Sequence, residues 1–130
     1  MLFLLGLALQ STPCPAGDIG CRDTRQRVEA AAVKGRFDDR TAKRTSWLHC
    51  LGIAAKNFSK QHEVANDVAR AAFGLCRAEL ESFYFADTHV SEDFGQVIKP
   101  QQRFYKDQEA EQYDFLLGQV MAYRTESGFR

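Results

Sequence analysis

A chain of 130 residues has room for one hydrophobic core and little for a second, so a single domain is expected. Its 17 basic and 17 acidic residues cancel, which argues against both a dedicated nucleic-acid binder and a strongly acidic solvating tail. The four cysteines, Cys14, Cys21, Cys50 and Cys76, show no CxxC, CxxCH or zinc-type Cys and His spacing, so the strong metal and haem signatures are absent and no cofactor is expected.

In chain order, the first segment is the apolar block "MLFLLGLAL", which ends at Gln10, Ser11, Thr12 and Pro13 and falls far short of the roughly 20 residues of a membrane-spanning helix. A short apolar stretch before a polar, proline-containing one is the layout of a secretory signal peptide, although the basic start is missing. Residues 1–16 are therefore expected to be removed after Ala16, with cleavage after Gln10 as the alternative, leaving residues 17–130 as one helical domain in the periplasm or outside the cell. Cleavage after Ala16 removes Cys14 from Cys21, whereas cleavage after Gln10 keeps both and makes a Cys14–Cys21 bridge the better expectation. A buried N-terminal hydrophobic segment is the plainer reading of the same block.

Residues 21–44 carry eight basic residues against four acids, read as a solvated Arg-rich helical face; contact with anionic lipid or nucleic acid rests on this stretch alone. Within it, "RDTRQRVEAAAVK" (22–34) predicts a short amphipathic helix ended by Gly35. A second helix is predicted from about residue 42 to 59, where Trp47, Cys50, Leu51, Ala54, Ala55 and Phe58 recur at steps of three and four. A third is predicted from about 63 to 85, with Ala65, Ala69, Ala72, Phe73, Cys76, Leu80 and Phe83 on one stripe. The short polar "SKQHE" between them makes these two antiparallel neighbours.

Cys50 and Cys76 are equidistant in sequence from residue 63, so a turn near His62 brings them to the same height, with Ala54 opposite Ala72 allowing close approach. Export favours a disulfide between them, clamping a helical hairpin, over two separate buried thiols. "WLHCLGIAAKNF" followed by "EVANDVARAAFGLC" also resembles the core of small, uncharacterised exported bacterial proteins with a W, C and AA pattern, then A, V, AA and C. The resemblance spans residues 47–76, implies a disulfide-closed helical pair, and brings no activity or catalytic residue with it.

The stretch "ADTHVSEDFGQVIKP" (86–100) reads as a connecting loop, and a last helix is predicted from Gln101 to Tyr123 with Pro100 at its start. The expected fold is thus all-α, three to four helices around the clamped hairpin.

Catalytic chemistry finds little purchase. "HEVAN" departs from the zinc-protease helix where Asn66 replaces the second histidine, so His62 and Glu63 read as a polar turn and no metal site is expected. His49 and Cys50 are helical neighbours pointing about 100° apart and do not form an easy nucleophilic dyad. Glu79, Glu81, Asp87, Glu92 and Asp93 read as solvated acids rather than a glycosidase pair. The aromatic surplus at Phe83, Tyr84, Phe85, Phe104 and Tyr105 is expected to pack the core, with any rings left exposed marking a partner-contact patch. The functional expectation is a non-catalytic exported helical protein acting through protein contacts; the alternative is a small hydrolase or apolar-ligand carrier without a visible motif.

Overall fold

The computed structural model describes residues 13–61 and 63–128, so the apolar block of the expected signal peptide and His62 lie outside the described residues. Four helices make up its regular structure: α1 Ile19–Phe58, α2 Ala65–Leu75, α3 Arg77–Asp93 and α4 Gln101–Glu126. No strand occurs among the described residues, and the fold is all-α. No helix among them is long and apolar enough to cross a membrane. The chain forms two compact units, Met1–Ala32 and Val33–Arg130, and α1 contributes to both.

In the first unit α1 starts from a capped turn. Gly17 takes a positive φ of 87°, Asp18 N–H donates to the Pro15 carbonyl at 3.1 Å, and Asp18 Oδ1 accepts from the Cys21 N–H at 3.0 Å. An aspartate in that position satisfies one of the donors that a helix start leaves open. Cys14 is bonded to Cys21 across this turn, with Cα atoms 5.8 Å apart. No residue from 13 to 32 is buried, so capping, the bridge and the Arg25–Glu29 ion pair (3.2 Å) hold this stretch without a core.

The predicted helices at 22–34 and 42–59 are one helix. Gly35 does not end it, because it keeps helical backbone and the ion pair Lys34–Asp38 (2.8 Å) spans it one turn apart. A glycine inside a helix costs only about 1 kcal/mol relative to alanine, and no proline follows to enforce a stop.

In the second unit, four contacts set the direction of the chain. Cys50 is bonded to Cys76 (Cα–Cα 5.9 Å), Trp47 stacks on Phe83 with centroids 6.2 Å apart, Arg40 meets Asp87 at 3.4 Å, and Arg36 grips Asp93 at 2.6 and 2.7 Å. The partner number rises as the α1 number falls, and every pair is centred between residues 63 and 65, so the later part of α1 and the returning chain run antiparallel. Trp47, Leu51, Ala54 and Ala55 of α1 are buried with Val68, Ala69, Ala72 and Phe73 of α2. Leu80 and Phe83 of α3, and Phe104, Tyr105, Leu116 and Val120 of α4, complete the cluster.

The return arm is two helices rather than the predicted single helix at 63–85. Cys76 leaves helical geometry (φ −95°, ψ 20°), closing α2 with its N–H on the Ala72 carbonyl at 3.1 Å and opening α3 with its carbonyl on the Leu80 N–H at 3.1 Å. No proline marks the break, and Gly74 is the one weak helix former beside it.

α3 then runs on into the first part of the predicted loop at 86–100, as far as Asp93, because Ala86 and Val90 continue its buried stripe among polar neighbours, and residues 94–100 remain the connection. It stops in a Schellman motif: Gly95 has φ 63°, Gln96 N–H reaches the Ser91 carbonyl at 2.9 Å and Gly95 N–H the Glu92 carbonyl at 3.2 Å. α4 begins after Pro100, as predicted, and ends three residues later than expected. Near that end Arg124 donates to the carbonyls of Ser59 (3.0 Å), Gln61 (2.9 Å) and Glu63 (2.6 Å), satisfying the backbone that links α1 to α2.

Two predictions follow from these contacts. The Cys50–Cys76 bridge closes a separation of 26 residues, which in the chain-entropy treatment stabilises by about 3 kcal/mol. Replacing both cysteines by Ser is expected to lower the urea stability of the Val33–Arg130 unit by that amount, read from Trp47, the single tryptophan. Replacing Cys14 and Cys21 by Ser is expected to leave the same transition unmoved; an equal loss in both variants would refute the assignment. Separately, hydrogen bonds from Arg36 hold the Asp93 carboxyl below the ordinary aspartate value. The pair's contribution is therefore present above the unfolded pKa of about 3.9 and lost as the pH falls through the lower folded value. Asp93→Asn is expected to flatten that part of the stability-versus-pH curve, and an unchanged curve would count against the pair.

Candidate functional site

The expected contact patch is mostly core. Phe83, Phe104 and Tyr105 are 4%, 3% and 5% exposed, and Tyr84 is half-buried with its hydroxyl donating to the Lys99 carbonyl at 3.0 Å. The rings pack as tilted and edge-on pairs, Phe83–Phe104 at 5.1 Å and Tyr84–Phe104 at 5.2 Å. These geometries suit aromatic quadrupoles and use the rings for packing. Only Phe85 of the five is exposed, at 50%.

Other predicted groups also have structural employment. Asp87 and Asp93 pair with Arg40 and Arg36, so part of the Arg-rich stretch faces α3 instead of forming a wholly solvated face. Glu79 lies within 4.8 Å of both Cys50 and Cys76 sulfurs. Because those sulfurs are bonded to each other, they offer no thiolate to a metal. His49 is exposed, and Glu63 supplies a backbone carbonyl to Arg124.

A different feature stands out: an open groove of about 560 Å³ along α2, the start of α3, and α4. Its α4 wall is the row Gln102, Lys106, Glu109 and Tyr113, at steps of four, three and four, which a helix places on one face. The facing wall carries Arg70 and Phe73 from α2 and Arg77 from α3. Buried Phe73 and Tyr105 supply an aromatic floor. Arg77, the first residue of α3, lines the same side of the groove seven residues after Arg70.

The charges in the groove are unequal in their engagement. The Arg77 guanidinium sits over the Tyr105 ring, 4.8 Å from its centroid, with Nη2 2.7 Å from Glu109 Oε1. That contact is an ion pair without hydrogen-bond alignment, and Oε1 is a buried atom with no hydrogen-bond partner among the described residues. Arg70 and Lys106 make no ion pair or side-chain hydrogen bond among the described residues. Three cations thus face one acid in a chain of zero net charge. The two unengaged cations beside this pair form a surface suited to recognising a polar partner.

Sequence reasoning missed this groove. The signal was present in the seven-residue spacing of Arg70 and Arg77 and in the α4 row, but each alone reads as an ordinary solvated helix face. No protein-family model, curated protein or solved structure matches the chain.

Proposed function

We propose that this chain is a non-catalytic helical protein that works outside the cytoplasm, in the periplasm or secreted, through contact with another protein. The observation that carries the reading is the α2–α4 groove, whose open, cation-bearing and ring-floored lining has the chemistry of recognition. Its charged walls favour a polar partner over an apolar cargo. The compartment is supported by the pairing of all four cysteines within the chain, since such bridges persist where the surroundings are oxidising. The Cys14–Cys21 bridge favours removal of the signal peptide after Gln10, which keeps both cysteines, over removal after Ala16.

Intact-mass analysis of the chain recovered from the cells that make it is expected to give a start at Ser11 and no free thiol. A chain retaining Met1 with four thiols would overturn the compartment. For the contact, a photoreactive residue at Tyr113 is expected to crosslink one defined protein, and the same residue placed at Arg22 is not. Equal labelling from both positions would remove the groove from the proposal.

A further inference from the structure

We propose that the groove between α2 and α4 takes an acidic, extended segment of the partner protein, with carboxylates on Arg70 and Lys106. The inference rests on the protein-contact reading and names the chemistry of what is bound.

Charge complementarity is the first argument. Arg77 is held by Tyr105 and Glu109, so its charge is largely offset and its guanidinium is fixed in place. Arg70 on one wall and Lys106 on the other have no such partner among the described residues, and each leaves a cation for an incoming anion. Two cations on opposite walls of one groove suit a ligand carrying two separated negative charges.

The protein-contact reading makes the anion a side-chain carboxylate, and the negative charge of Glu109, whose buried Oε1 lies 2.7 Å from Arg77 Nη2, disfavours the denser charge of a phosphate or nucleic-acid backbone. In an extended peptide, side chains two apart lie on the same side, about 7 Å from one another, so glutamates flanking one residue can address the groove while the rings of Phe73 and Tyr105 underlie the chain between them. A volume of about 560 Å³ leaves room for such a segment in the open groove.

The test uses the full chain with both disulfides intact and a fluorescein-labelled Gly-Glu-Phe-Glu-Gly peptide, read by anisotropy. Binding is expected to weaken with added salt and to fall about tenfold in Arg70→Ala/Lys106→Ala, a loss of about 1.4 kcal/mol. Neither side chain holds the fold together, so the Trp47 emission and thermal melt of that variant should match those of the parent. The Gly-Gln-Phe-Gln-Gly peptide is expected to bind about tenfold more weakly. Equal binding of the two peptides would sink the acidic preference and leave the protein-contact reading standing. Binding of a short oligothymidylate in place of either peptide, or its strengthening in Glu109→Gln, would overturn both. If no probe binds while the Tyr113 crosslink still forms, the acidic-segment assignment falls alone. Concentration-dependent self-association lost in the double variant would make the occupant a second copy of this chain and likewise overturn it.

Discussion

The bond between Cys50 and Cys76 is the constraint on which the larger unit depends. It ties α1 to the joint between α2 and α3, so one covalent link fixes the height of three helices at once. The preceding turns of α1 are then in register: Trp47 reaches Phe83, and Arg40 and Arg36 reach Asp87 and Asp93. A slip of one turn would separate all of these pairs together.

Around that link the core is built from two kinds of side chain. Ala54, Ala55, Ala69 and Ala72 are buried where α1 and α2 contribute to the core, and small residues there let helix axes approach closely. Rings and larger aliphatics fill the space where α3 and α4 contribute, with Trp47 stacked on Phe83 and Tyr84 packed against Phe104 and Tyr105. Burying a large apolar side chain stabilises by about 1.5 to 3 kcal/mol, so the aromatic cluster is a principal source of stability and is not free to serve as a surface. Arg124 completes the unit by supplying donors to backbone carbonyls in the α1–α2 connection that no helix could satisfy.

The groove is a by-product of the same construction. Arg77, at the start of α3, lies over Tyr105 and against Glu109. Packing of α2 and α4 leaves Arg70 and Lys106 on facing walls above buried rings. The stability of the pocket and the stability of the fold therefore share the residues Phe73 and Tyr105, while the walls that would recognise a partner carry little of the folding burden.

The sequence by itself determined what is local or periodic. Helical stripes such as Trp47, Leu51, Ala54 and Ala55 require only a 3.6-residue repeat to be seen. Pro100 marked the start of α4 because its fixed φ suits a first turn, and the symmetry of Cys50 and Cys76 about residue 63 forecast their bridge. Tertiary structure decided what depends on partners distant in the chain. Gly35 reads as a stop until helix-spanning ion pairs and the Arg36 and Arg40 contacts outweigh its small cost. Residues 86–93 read as a loop until a core receives Ala86 and Val90, and the helix breaks at Cys76 without a local breaker. The same limit hid the groove: Arg70, Arg77, Lys106 and Glu109 occupy three helices, and a helical period records which face a residue is on but not which face of another helix it will meet.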